Sequence, residues 1–142
     1  MPEIRALAIC IFSRSGRILA AEGYDSVKRQ TFYRPLGGMI EFGERAEEAL
    51  QRELREEIGA EIANPRLLGV TENIFVFEGQ PGHEVVFVFD ADFVDRSLYE
   101  QEAIKGDELG QRFMAVWKRL DDFNTETPLY PAGLLGLLKR DG

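Results

Sequence analysis

Gly38–Ala60 reads GMIEFGERAEEALQRELREEIGA, and this stretch decides the fold. From Glu44 to Ile58 it has no Gly or Pro and is rich in Ala, Leu, Glu and Arg, which predicts a helix over 44–58. Gly59 stands where a C′ glycine stops it. At about 100° per residue, Ala46, Ala49, Leu50, Leu54 and Ile58 form one apolar stripe, with Arg45, Glu48, Gln51 and Arg55 opposite. Glu53 and Glu57 fall inside the stripe and Glu56 borders it. Like charges at i,i+4 destabilise an isolated helix by about 0.2–0.5 kcal/mol, and burying them uncompensated costs far more. Arg52, four residues from both Glu48 and Glu56, is placed to brace the cluster, but one charge cannot neutralise three carboxylates. A solvated acidic face is the plainer reading. It leaves these acids on the wrong face, and it gives no reason for Gly37-Gly38 with Glu44 just downstream. Clustered hard oxygen ligands favour Mg2+ or Mn2+.

Outward from this helix the pattern is mostly β. Ile4 to Phe12 is almost wholly apolar and suits a strand buried on both faces. Ser13 to Gly16 reads as a turn, with Arg17 to Tyr24 as its partner strand. Asp25 to Thr31 reads as loop, and Phe32 to Ile40 as short extended pieces around Pro35 and Gly37-Gly38. Leu67 to Phe77 and Val85 to Phe93 read as strands, with a hairpin turn at Gly79-Gln80-Pro81-Gly82. Asp95 to Gly110 reads as an acidic loop with some helix, Phe113 to Trp117 as a strand, and Tyr130 to Lys139 as a closing helix. Long strands with a central and a terminal helix predict an α+β fold, a mixed sheet with helices against it.

The run Gly38 to Ala60 resembles the Nudix box, G-x5-E-x7-R-E-U-x-E-E-x-G-U with U a bulky aliphatic. Gly38, Glu44, Arg52, Glu53, Leu54, Glu56, Glu57 and Gly59 match in place, and Ala60 departs from the pattern at the last aliphatic position. Trp117 followed by Leu120 is similar to the family's late strand. The resemblance implies an α/β/α sandwich. It also implies a metal-dependent pyrophosphohydrolase that cleaves the diphosphate bond of a small nucleoside diphosphate derivative. It casts Glu53, Glu56 and Glu57 as holders of Mg2+ or Mn2+, helped by the Gly37 carbonyl. Arg52 would orient the carboxylates, and Glu44 would fix the loop-to-helix junction. Family members place the general base inside or outside the box. Glu53 leads, with Glu84, Glu100, Glu102 and Glu108 as further candidates. Phe75, Val76 and Phe77 stand where a Pro or Tyr would signal the ADP-ribose and diadenosine polyphosphate branches. The Ser-Gln-Pro-Trp run of the NADH branch and the Leu-Leu-Thr-x-Arg run of the coenzyme A branch are absent. Nucleotide-sugars, ADP-ribose among them, and nucleoside triphosphates stay open. Because family members are often dimers, a homodimer is an expected assembly. A non-catalytic nucleotide sensor on the same scaffold is the rival reading, although such modules usually lose box acids.

Composition bounds these readings. A chain of 142 residues suits one domain over 1–142. One cysteine, Cys10, and one histidine, His83, rule out a disulfide framework and a zinc site of several Cys or His. The net charge of −8 argues against general binding to nucleic acid or anionic membrane. No basic leader or bilayer-length apolar run is present, which points to the cytoplasm. Arg34 is a candidate phosphate ligand and Glu84 a candidate substrate contact; Tyr130 is a weaker candidate for a pocket edge. Cys10 should be a buried small hydrophobe.

Overall fold

The computed structural model describes residues 2–141. Along the chain lie β1 (Arg5–Ile11), β2 (Ser13–Arg14), β3 (Arg17–Asp25), β4 (Gln30–Arg34) and β5 (Leu36–Met39). Then come α1 (Ala46–Ile58), β6 (Ile62–Phe77), β7 (Gln80–Phe93), β8 (Ala103–Glu108), β9 (Gln111–Arg119) and α2 (Leu134–Asp141). Short 3-10 turns occupy Arg96–Glu100 and Leu120–Asp122. One sheet has the order β5-β1-β7-β6, with β1 and β7 parallel and the other pairs antiparallel. The second is antiparallel, β2-β3-β9-β8, with β4 also on β3.

The α+β sandwich is as expected, and side-chain alternation accounts for its two cores. Ala8, Cys10 and Phe12 share one core with Leu50 and Leu54 of α1 and with Phe89, Ala91 and Phe93 of β7. Ile9 and Ile11 join Val86, Val88 and the α2 residues Leu134 and Leu138 in the other. Phe12 and Phe93 stack at 3.8 Å between ring centroids, which packs the exit of β1 against the end of β7.

Several expectations shift. The mixed sheet is divided in two, and β3 ladders with β2, β4 and β9 rather than with β1. Helix α1 begins at Ala46 because Glu44 is tied into the preceding loop, and Gly59 ends it in the left-handed region, φ 67°. The β6–β7 turn is Glu78-Gly79, both at positive φ, so Pro81 and Gly82 lie inside β7. The expected acidic loop contains β8. Ile104 there is buried in the α1 core while Lys105 and Asp107 are exposed, a period of two that the charges had masked. The closing helix starts at Leu134, after the Tyr130-Pro131 turn. No described helix is long and apolar enough to cross a membrane.

Asp25, read only as loop in the sequence, is a structural clasp. Its Oδ1 accepts from the Val27 and Lys28 amides at 3.0 Å and its Oδ2 from the Glu78 amide at 3.2 Å, while Glu78 accepts from Ser26. The β3–β4 turn is thereby fastened to the β6–β7 turn. These amide bonds, led by that from Lys28, hold the Asp25 carboxyl below its usual range. Such a group stabilises the fold above its unfolded pKa, and the contribution is lost as pH falls through the folded one. Asp25→Asn is therefore expected to melt at a lower temperature than the wild type at pH 7. The gap should close below about pH 4, as measured by melting curves of both proteins across pH.

Candidate functional site

The site is built where β5, α1 and β8 meet. Along α1, Leu50 and Leu54 go into the core, and Glu53 and Glu57, one turn apart, come to the same side of the helix. Glu57 is only 5% exposed, and its Oε1 accepts the Gly37 amide at 3.1 Å. The Glu53 carboxylate fills the space that a Cβ on Gly38 would need, so no residue larger than glycine fits there without displacing it. Glu56, at the stripe's border, is largely exposed.

Arg52 organises the near side. It forms a fork with Glu44, Nε to Oε2 at 2.7 Å and Nη2 to Oε1 at 3.0 Å, and donates to the Met39 carbonyl at 2.9 Å. Its Nη1 lies 2.9 Å from Glu53, 3.3 Å from Glu56 and 3.7 Å from Glu41. Glu48, the expected second partner, instead accepts from the Arg45 amide at 2.8 Å and caps the helix. Glu44 also accepts from the Glu41 amide at 2.9 Å, closing the loop into α1. The Arg52 fork keeps the Glu44 carboxyl below its ordinary range.

Two residues complete the cluster from elsewhere in the chain. Glu108, the last residue of β8, shares a face with Ile104 and pairs with Arg34 at 2.8 Å. It is also hydrogen-bonded to Glu57. Burial and the Glu108 charge push Glu57 up to about 9, and burial raises Glu53 as well. Of the acids outside the box, Glu108 thus joins the cluster. Glu100 and Glu102 are exposed beside the turn before β8. Glu84 lies on β7, hydrogen-bonded to Asn73 and within electrostatic reach of Arg34. Asn73 and Asp25, both buried, had no sequence signal beyond polarity.

Six carboxylates, Glu41, Glu44, Glu53, Glu56, Glu57 and Glu108, thus share two guanidinium groups, Arg34 and Arg52. Among the described residues no three acids converge as a ready ligand set. The donor chemistry nevertheless suits a divalent cation: hard oxygens in surplus of charge, partly desolvated, with a glycine cradle beneath Glu53.

The family model for the NUDIX domain matches residues 1–133. The chain belongs to the Nudix hydrolase family. This Nudix chain is 30% identical over 120 residues to the NAD-capped RNA hydrolase NudC of Pseudomonas aeruginosa. The match covers 84% of the chain but 38% of that protein, so the chain spans less than half the length of the curated relatives it matches. Its fold is similar to that of the MutT NUDIX hydrolase from Burkholderia pseudomallei, with a TM-score of 0.68 at 24% identity over 96% of this chain and 97% of that one. It is also similar to the crystal structure of an ADP compounds hydrolase, with a TM-score of 0.61 at 19% identity over 98% of this chain and 73% of that one.

Removing the Arg52 guanidinium leaves its carboxylate partners facing one another. Arg52→Gln is expected to lower the unfolding free energy by about 2 kcal/mol or more. Adding Glu53→Gln should recover part of that loss, as measured by a denaturant double-mutant cycle without divalent cations.

Proposed function

We propose that this Nudix domain is a metal-dependent pyrophosphohydrolase. It cleaves the diphosphate bond of a small nucleoside diphosphate derivative, either a nucleotide-sugar such as ADP-ribose or a nucleoside triphosphate, in the cytoplasm. The observation that supports it is the surplus of carboxylates in one partly buried cluster, with Arg34 beside Glu57 and Glu108. Glu53, Glu56 and Glu57 are the side chains that would hold Mg2+ or Mn2+, with the Gly37 carbonyl as a backbone ligand. A cation there would offset the charge of the diphosphate and acidify a bound water.

The chain's own residues divide the remaining work. Arg34 leaves Glu108 to bind a phosphate oxygen, a pairing to which the planar guanidinium is suited. Arg52, fixed at both ends by Glu44 and Met39, holds Glu53 and Glu56 in place. Glu53 leads as general base. Glu108, beside Arg34 and Glu57, is the other carboxylate placed to accept a proton. We read residues 1–142 as one catalytic domain, with a homodimer as the expected assembly.

The NudC relatives are NAD-capped RNA hydrolases, which makes NAD-capped RNA a necessary arm of the test. The chain's charge of −8 favours a free nucleotide. Phosphate and pyrophosphate release should be measured with Mg2+ and with Mn2+ across nucleotide-sugars, nucleoside triphosphates and NAD-capped RNA. One preferred free nucleotide is expected, and preference for the capped RNA would overturn the small-substrate reading. Glu57→Gln is expected to lower kcat at least about 100-fold while remaining folded. A nucleotide that binds but is never turned over, with binding unchanged in Glu57→Gln, would favour the sensor. Millimolar Mg2+ should raise the wild-type melting temperature by several degrees and that of Glu57→Gln by less.

A further inference from the structure

The β6–β7 hairpin carries a row of groups that the carboxylate cluster does not use. Asn73 and Glu84 are direct cross-strand partners. Asn73 is 5% exposed, accepts from the Ala132 amide at 3.2 Å and donates to the Glu84 carboxylate. Glu84 is partly buried, with Arg5 and Arg34 in electrostatic reach. Arg34 is therefore the cation common to Glu84 and the cluster around Glu57 and Glu108.

Further along the same face of β6 come Phe75 and Phe77, in steps of about 7 Å. The Phe75 ring lies over Gly82, its cross-strand partner, in space that a Cβ would occupy. The ring is thus laid flat against β7. Phe77 meets Phe32 edge-on at 5.8 Å, and Phe32 meets Tyr130 at 5.4 Å. Tyr130 is tied to β4 through its amide on the Tyr33 carbonyl. The row thus runs from a cation through a desolvated carboxyl to an aromatic surface.

A nucleotide presents the complementary order: phosphate, a sugar bearing hydroxyl donors, and a flat base. An ionised carboxylate only accepts hydrogen bonds, so Glu84 suits hydroxyls, and the Asn73 bond leaves it acceptor capacity to spare. Aromatic rings give a base a stacking surface. We propose that Glu84, positioned by Asn73, accepts the 2′- and 3′-hydroxyls of the substrate's ribose, with the base against Phe75 and Phe77, so that the site selects ribonucleotide over 2′-deoxyribonucleotide derivatives. This rests on the reading of the carboxylate cluster as the diphosphate site.

Binding of ADP, 2′-deoxy-ADP, GDP and 2′-deoxy-GDP, measured by calorimetry with Mg2+, tests the assignment without requiring turnover. The ribose form should bind the wild type about tenfold or more tightly than its deoxy counterpart, the scale of one hydrogen bond to a charged group. Glu84→Gln should bring the ratio to within about twofold, and Asn73→Ser should lower it in the same sense. Phe75→Ala should weaken all four and keep the ratio, an outcome that general damage to the sugar contact would not give. Equal wild-type affinity for the two sugars, an unchanged ratio in Glu84→Gln, or no binding of any of the four overturns the proposal. Turnover separates the two readings. A ribose preference in binding without hydrolysis overturns the hydrolase alone, and hydrolysis without a ribose preference overturns the sugar contact alone.

Discussion

Arg52 stands among carboxylates that would otherwise repel one another, and it fixes both the loop that enters α1 and the acids that leave it. Its fork with Glu44 and its bond to the Met39 carbonyl set the path of residues 39–44. Its remaining N–H contacts restrain Glu53 and Glu56. A lysine at this position would supply the charge without the planar fork that pairs with both Glu44 oxygens. The geometry of the box is thus a hydrogen-bonding requirement as much as an electrostatic one.

Arg52 does not reach Glu57. That side chain is buried against Gly37 and shares its surroundings with Glu108, which leaves a carboxyl that holds its proton well above the ordinary range. The chain keeps one half of the cluster braced by a permanent cation and the other half under-compensated. Such a division is costly to the resting fold and useful to a site whose counter-charge arrives from solution.

How much of this was legible in the sequence follows from how local each feature is. The helix, its stop at Gly59 and the inward turn of Glu53 and Glu57 were legible because one period of 3.6 residues specifies them all. Cys10 in the core and the alternating burial of β1 were legible for the same kind of reason. The partner of β3 was not, because pairing depends on where the chain crosses between sheets, and a turn signal at Ser13 to Gly16 does not say so. Strand β8 was hidden by its charges, since Lys105 and Asp107 make an amphipathic strand look like a loop. Glu108 could be named only as one of several acids, for its approach to Arg34 spans a separation of 74 residues. The clasp at Asp25 and the burial of Asn73 depend on contacts between distant turns and carry no local pattern.

The position of Glu108 at the end of β8 also bears on how such a site diversifies. Its side chain reaches Arg34 and Glu57 because β8 and β9 pair in the register Asp107↔Arg112 and Glu108↔Gln111. Slipping β8 by one residue would turn Glu108 to the opposite face and carry Asp107 inward in its place. The 23 residues of the box would be untouched by such a slip. The same slip would turn Ile104 out of the α1 core and Lys105 toward it, so the acid that completes the cluster is held in register by a core contact that lies outside the box.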